Sequence, residues 1–382
     1  MQKAQQFVLA KNKKSDDQFK IIVKEKAFIM SRFFSSKLSK LTAYTPGEQP
    51  KDMQYIKLNT NESPYPPAPE VTEAVKKEVG ILQLYSDPEC FLLREEIAKV
   101  YDVGIENVIV SNGSDDILNF AFAAFGDKGK TAVFPDITYG FYTVFADLNG
   151  VEYKQIPLGN DFTINPKDYY NAPGPVFIAN PNAPTGIEMQ NDEIEQIIIN
   201  NPDNVVIIDE AYIDFGGISS VPLTKKYDNV VVVQTFSKSR SLAGGRLGFA
   251  IASKALIDDL TTIKFSTNPY SVNRMTMAAG IAVMENNDYY MDNCNKIQKT
   301  RDYVTEQLKS MGFEVIPSKA NFVFAKSGKI PGGELYAKLK DNGVLVRHFT
   351  NPKICEFNRI TIGSMEQMKK FIQIVKNILE VY

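Results

Sequence analysis

From about residue 86 the chain alternates two hydrophobic rhythms. FLLREEIAKVYDV (91–103) reads as an amphipathic helix, and DDILNFAFAAFG (115–126) is also helical in character. Between and beyond them lie short apolar runs: NVIVSNGS, TAVFPD, PVFIANPN, NVVIIDEAY, NVVVVQTFS and LGFAIAS. These are rich in β-branched residues and show no polar alternation. Runs of this kind suit strands buried on both faces, as in a parallel sheet covered by helices. The pattern predicts an α/β domain over roughly 80–265. After it, RDYVTEQLKSMGFEVIPS, ANFVFAK, GELYAKLKDNGVLVRHF and NRITIGS, then MEQMKKFIQIVKNIL, mix helices with a small sheet and predict an α+β layer.

Composition narrows the picture. The 382 residues hold two to three domains' worth of chain, and 44% hydrophobic with 23% charged residues is ordinary for a folded protein. A core of this size needs no disulfide staples. A net charge of −2 gives no bulk attraction to nucleic acid or to an anionic membrane. No run of about 18 apolar residues predicts a membrane span. The three cysteines, Cys90, Cys294 and Cys355, form no CxxC pair, which suits a reducing cytoplasm. The single histidine, His348, excludes HExxH zinc sites and multi-histidine metal centres, so no metal ligands are assigned. Residues 1–29 are polar and lysine-rich, without a secretory h-region, and read as a leader ahead of Met30.

Ligands in open α/β sheets bind beyond the carboxyl ends of the strands. Four such ends carry unusual residues. Asn112-Gly113-Ser114-Asp115-Asp116 offers small residues before a helix, a natural anion cradle, although a capped helix after a turn would look the same. Asn180-Pro181-Asn182-Ala183-Pro184-Thr185-Gly186 is a rigid polar loop that could equally be a plain turn. Asp209 and Glu210 close a wholly apolar strand, where a carboxylate is expensive unless it meets a cation or several donors; an ordinary helix cap is the alternative. Tyr212 follows three residues on. Ser237 and Lys238 follow the fourth strand, with Arg246 eight residues beyond the lysine. An amine at the mouth of a low-dielectric cleft is the group for imine chemistry, whereas standing alone it would be a solvated loop lysine. Together these groups are what a pyridoxal phosphate site needs.

The ordered set LTAYTPGEQP, IKLNTNESPYPP, LYSDPECFLLREEIA, VSNGSDDIL, FPDITYGFY, NPNAPTG, IIDEAYIDF, TFSKSRSLAGGRLGF, SKANFVF, VLVRHF and NRITIGS resembles the fold-type I pyridoxal phosphate aminotransferases, and more narrowly the histidinol-phosphate aminotransferase family. The resemblance runs from about Met30 to the C-terminus. It implies a mostly parallel central sheet covered by helices, with a smaller α+β domain. On that scheme 30–80 is an N-terminal arm and part of the small domain, 81–268 the large cofactor-binding domain and 269–382 the small domain.

The resemblance also implies roles. Lys238 matches the imine-forming lysine, Asp209 the partner of the pyridine nitrogen, and Tyr212 the hydroxyl on the cofactor's phenolic oxygen. Tyr139 matches the ring that stacks on the cofactor. Ser114, Ser237 and Arg246 match phosphate ligands, with Gly113 and Asp115 at the same turn. Tyr85 matches a tyrosine that reaches the neighbouring subunit's cofactor, which implies a homodimer with a shared active site. Arg347 and Arg359 match the arginines for substrate carboxylate and phosphate, with Tyr44 and Asn61 also on the substrate side.

One departure is Ala183, where the family usually has an asparagine bonded to the phenolic oxygen. Either Asn182 replaces it through a loop shift, or Tyr212 holds that oxygen alone. A second is Gly245, in place of a bulkier residue, which suggests a looser loop. The implied reaction passes an amino group from glutamate to imidazole acetol phosphate in histidine biosynthesis, with Lys238 as acid and base. A threonine-phosphate decarboxylase-like lyase, an aromatic aminotransferase and, more remotely, a non-catalytic regulator of the same fold are the alternatives. His348, next to Arg347, either lines the pocket or is an exposed strand-end residue.

Overall fold

The structure is a computed structural model and describes residues 31–39, 41–50 and 52–382, so the expected leader lies outside the described residues. By its contacts the chain divides into two units, Met1–Ser39 and Lys40–Tyr382. The first shows one 3-10 turn at Ser36–Leu38. All that follows concerns the second.

Its strands are β1 (Ile56–Lys57), β2 (Val108–Ser111), β3 (Ala132–Pro135), β4 (Tyr153–Ile156), β5 (Val176–Ala179), β6 (Val206–Asp209), β7 (Val230–Thr235), β8 (Gly248–Ala252), β9 (Phe313–Ile316), β10 (Phe322–Ser327), β11 (Val344–Leu345), β12 (Arg347–His348) and β13 (Phe357–Thr361). The helices are α1 (Pro69–Val79), α2 (Phe91–Tyr101), α3 (Ser114–Phe125), α4 (Phe141–Asn149), α5 (Asn191–Ile199), α6 (Lys254–Thr267), α7 (Arg274–Glu285), α8 (Asn287–Ser310), α9 (Gly332–Asp341) and α10 (Met365–Val381).

A seven-stranded sheet runs in the order β2-β8-β7-β6-β5-β3-β4. Strand β8 is antiparallel to β2 and β7, and the remaining pairs are parallel. Its central strands are buried on both faces because alternate residues enter different cores. On β7, Val230 and Val232 join one cluster while Val231 and Val233 join another. That is why the sequence shows unbroken apolar runs there. β4 differs: Tyr153, Lys154 and Gln155 are exposed, as befits an edge strand.

A four-stranded antiparallel sheet, β12-β13-β10-β9, packs with α8, α9 and α10 around a third core, and β1 pairs in parallel with β11. The passage to this layer, expected at 269, comes later in the fold. Val272 and the α7 residues Ala279, Ala282 and Val283 pack in the first core, as does Tyr290. Within the same helix α8, Cys294, Ile297 and Val304 belong to the third. The buried apolar residues of α8 form one stripe, and the helix joins two cores by meeting them in turn along its length, which periodicity does not reveal.

Candidate active site

The parallel strands β5, β6 and β7, and β2 beside β8, deliver their carboxyl ends to one edge of the sheet. Asp209 is the last residue of β6 and is buried. Its carboxylate accepts the Tyr142 hydroxyl (3.0 Å) and the Ala211 N–H (3.2 Å), and among the described residues no cation pairs with it. Burial pushes its pKa up to about 6. Glu210, beside it, takes the other solution to carboxylate burial, which is several donors. It accepts the Ser219 hydroxyl (2.7 Å), the Ser220 N–H (2.5 Å) and the Gln234 amide (2.9 Å), although burial still pushes it up to about 7.

Lys238 lies in the turn after β7. Its Nζ donates to the Thr60 carbonyl (3.0 Å) and stands 5.8 Å from the centre of the Tyr212 ring. The Tyr212 hydroxyl accepts the Asn61 side-chain amide (2.9 Å). Asn61 is itself fixed: its backbone is left-handed at φ 58°, its N–H donates to the Thr361 hydroxyl (3.0 Å), and its carbonyl accepts the Asn321 amide (3.0 Å). The tyrosine's orientation is thus set by β13 and by the 321 turn.

The turn after β2 leads directly into α3. Its N-cap, Gly113, supplies no side-chain bond, so the first N–H groups of the helix are left for another acceptor. Arg246 reaches this turn, donating to Asp115 (3.1 Å) and to the Ser237 hydroxyl (3.4 Å). Glycines make the approach possible. Gly113 has φ +88°, and a Cβ there would lie 2.7 Å from the Arg246 guanidinium; a Cβ at Gly248 would lie 2.2 Å from the Ser114 nitrogen. Tyr139 donates to the other oxygen of Asp115 (2.8 Å).

Two connected cavities follow from this arrangement. The inner, about 280 Å³, is lined by Ser114, Asp115, Tyr139, Asp209, Tyr212, Ser237, Lys238 and Arg246. The outer, about 360 Å³, is lined by Tyr44, Asn61, Tyr139, Tyr212, Lys238, Arg347 and Arg359. Lys238, Tyr212 and Tyr139 stand where they meet. Of the residues assigned above to the cofactor, Ser114, Asp115, Asp209, Ser237 and Arg246 line only the inner cavity, and of those assigned to substrate, Asn61, Arg347 and Arg359 line only the outer, whereas Tyr44 lines both.

Arg347 and Arg359 face each other across β12 and β13. Arg347 reaches the Thr45 carbonyl (3.5 Å) and Arg359 the Asn59 carbonyl (3.2 Å); among the described residues neither pairs with a carboxylate. The Nε of Arg359 is buried without a partner. Burial, then the neighbouring Arg347, lowers the Arg359 pKa from its ordinary value. The stretch from Tyr44 to Gln49 roofs both cavities, and Glu48 ties it to α9 through the Tyr336 hydroxyl (2.8 Å) and Lys340.

Three expected residues are placed elsewhere. Asn182 lines neither cavity: its amide donates to the Ile137 carbonyl (2.9 Å) and the Thr185 hydroxyl (3.2 Å), and its oxygen accepts Thr138 (2.8 Å). These bonds occupy it in holding the 137–138 turn, so the loop shift that would bring it to the cofactor is not made. Ala183 itself faces both cavities. Tyr85 is 79% exposed and stacks on Tyr270 with centroids 4.5 Å apart, away from both cavities. His348 is neither pocket-lining nor free at a strand end. It is half-buried against Tyr336, and burial lowers its pKa. The Gly245 loop is tied, since its N–H donates to the Leu242 carbonyl (3.0 Å) and its carbonyl accepts the Thr276 hydroxyl (2.9 Å).

The sequence reading missed Tyr142, the partner of Asp209, and Thr60, whose carbonyl holds Lys238. Tyr142 had a signal, because it lies three residues after Tyr139 and so shares its side of the chain's turn into α4. Thr60 had none, since it acts through its backbone.

This sheet, with its acidic and basic strand ends, defines an aminotransferase-like α/β enzyme fold. A family model described as aminotransferase class I and II matches residues 53–375, and the chain belongs to that family. It is 50% identical over 353 residues to a histidinol-phosphate aminotransferase of Brachyspira hyodysenteriae, covering 92% of this chain and 100% of that one. An Acinetobacter baumannii protein of the same name is 46% identical, over 90% of this chain and 97% of its own. The solved histidinol-phosphate aminotransferase of Clostridium acetobutylicum superposes with a TM-score of 0.79 at 23% identity, over 85% of this chain and 99% of that one, and shares the fold.

Proposed function

We propose that this protein is a pyridoxal 5'-phosphate-dependent enzyme that transfers the amino group of glutamate to imidazole acetol phosphate, giving L-histidinol phosphate and 2-oxoglutarate. The observation that carries the reading is the meeting of Lys238 and Asp209 at the inner cavity with two carboxylate-free arginines in the outer one. The names of relatives 45–50% identical to the chain support the choice of substrates.

The residues present fit the cofactor. Asp209 is a buried carboxylate with no cation partner among the described residues, which a protonated pyridine nitrogen would supply. The uncapped start of α3, with Ser114, Ser237 and Arg246, would hold a phosphate dianion. Tyr139 would cover one ring face, and Tyr212, oriented by Asn61, would bond the phenolic oxygen without help from position 183. When bound, the cofactor supplies an electron sink for the carbon that gains or loses the amino group.

The protein's own groups do the rest. The Lys238 amine stands between the cavities, so it can take a proton from the substrate's α-carbon and return one. The guanidinium forks of Arg347 and Arg359 suit both the carboxylates of glutamate and the phosphate of the acceptor, which would let two substrates use one site in turn. Tyr44 and Gly47 line both cavities, where they would help a bound substrate exclude water. We read the protein as a cytoplasmic homodimer. The exposure of Tyr85 supports a role across the subunit boundary, and the three free cysteines suit a reducing compartment.

The test is an acceptor panel with purified, cofactor-loaded protein and glutamate. Imidazole acetol phosphate should be preferred to phenylpyruvate, and threonine phosphate should release no CO2. Preference for phenylpyruvate, or decarboxylation, would overturn the reading.

A further inference from the structure

We propose that Arg240 is a positioning residue that sets the spacing between Lys238 and the segment carrying Asp209 and Tyr212. The proposal rests on the assignment of those three residues to one cofactor, and it concerns groups that line neither cavity.

Arg240 lies two residues after Lys238 and is 1% exposed. Its NH1 donates to Asp214 (2.5 Å) and to the Ser239 hydroxyl (3.1 Å), and Ser239 donates to the same Asp214 oxygen (2.5 Å). Its NH2 donates to the Tyr101 hydroxyl (3.0 Å). Tyr101 donates onward to the Gln234 carbonyl oxygen (2.5 Å), and the Gln234 amide donates to Glu210 (2.9 Å). Every bond in this chain points one way, from a buried cation to a buried carboxylate. The three donors on Glu210 fix the direction, because the amide end of Gln234 must face the carboxylate.

Glu210, the neighbour of Asp209, and Asp214 bracket the stretch that presents Tyr212. One guanidinium grips that stretch at both ends, directly through Asp214 and through two neutral groups at Glu210. The same residue is covalently bound to the lysine's turn. A planar fork can satisfy two acceptors in different directions at once, whereas a lysine ammonium is a single point. The lysine and the ring-binding groups are therefore held in register from behind, by bonds that touch neither cofactor nor substrate.

Arg240→Ala would leave the part-buried Asp214 without its cation, with only the Ser239 hydroxyl donating to it, and endanger the fold. The informative variants are Arg240→Lys, which keeps the charge and loses the fork, and Tyr101→Phe, which cuts only the branch to Glu210. In cofactor-loaded protein, kcat with glutamate should fall about 10- to 100-fold in Arg240→Lys, with KM changed less than about 3-fold. Tyr101→Phe should give a smaller loss of the same kind. The pH midpoint of the bound cofactor's visible absorption should move in both. The double variant should be no worse than Arg240→Lys alone, because both cut one branch. Unchanged kcat and absorption midpoint in folded, loaded Arg240→Lys and Tyr101→Phe would overturn the proposal, and so would strictly additive losses. If Arg240→Lys does not fold, Tyr101→Phe alone decides on the same two readouts. A wild-type protein that acquires no visible absorption with pyridoxal phosphate overturns the cofactor assignment, and this inference with it. Wild-type absorption with indifferent variants overturns only the inference.

Discussion

Arg347 stands directly opposite Arg359 in the β12–β13 ladder, and both guanidiniums reach the outer cavity without a carboxylate between them. Like charges in facing positions weaken a sheet, here by up to about 1 kcal/mol, a cost that an anionic ligand held by both would offset. Arg347→Gln should therefore raise the Tm of the ligand-free protein slightly. The same change should raise KM for the phosphorylated acceptor by about 10-fold or more, the worth of one charged hydrogen bond. Thermal melts and steady-state kinetics read the two effects. A lower Tm together with an unchanged KM would show that the pair has another purpose.

Asp209 supplies a pH dependence. Burial lifts its pKa from the ordinary 3.8 to about 6 in the ligand-free protein. The folded value is above the unfolded one, so its contribution to stability is full below about pH 4 and is lost as pH rises through about 6. The Tm gap between cofactor-free Asp209→Asn and wild type should then widen in the variant's favour between pH 4 and 6. With cofactor bound the order should reverse, because asparagine offers the pyridine nitrogen no negative charge. A gap that is flat with pH would contradict the assignment.

Among the described residues, Tyr142 donates the one side-chain hydrogen bond that Asp209 accepts. Tyr142→Phe removes a donor that favours the ionised carboxylate, so the pKa of Asp209 should rise further. Cofactor affinity should weaken about 10-fold, measured by equilibrium titration of the visible absorption.

Gly248→Ala tests the phosphate cradle. Its Cβ would fall 2.2 Å from the Ser114 nitrogen, so the first turn of α3 must move. Overpacking of this kind costs about 1–3 kcal/mol of stability. Cofactor affinity should fall in parallel, while a variant that binds cofactor as tightly as wild type would show that the N-terminal amides of α3 are not used.

Lys238→Ala should remove the visible absorption of the loaded protein and lower turnover by at least about 100-fold. Retention of both would displace Lys238 from its role.

Much of this site could be read from the chain because its residues sit at the ends of apolar strands. NVVIID became β6 and NVVVVQTF became β7, with Asp209 and Lys238 just where each run stops. The helices at 91–101, 114–125 and 365–381 match their periodic segments for the same reason. The parts that stayed hidden depend on contacts between distant segments. Nothing local marks Tyr101 as a partner of Gln234, 133 positions away, or Thr60 as the acceptor for Lys238, 178 positions away. Nor does local pattern show that β8 runs against its neighbours, since an antiparallel strand buried on both faces reads like a parallel one. Asn182 was misplaced because the loop's sequence gives its residue types but not which way each side chain turns.

The roof over the two cavities hangs from α9 through Glu48, while their floor belongs to the large sheet. The width of the doorway is therefore no property of a single loop: it is decided by how closely the small layer is docked on the large one. Mutations far from any substrate, in the seam between those layers, would be felt first as changes in how readily molecules come and go.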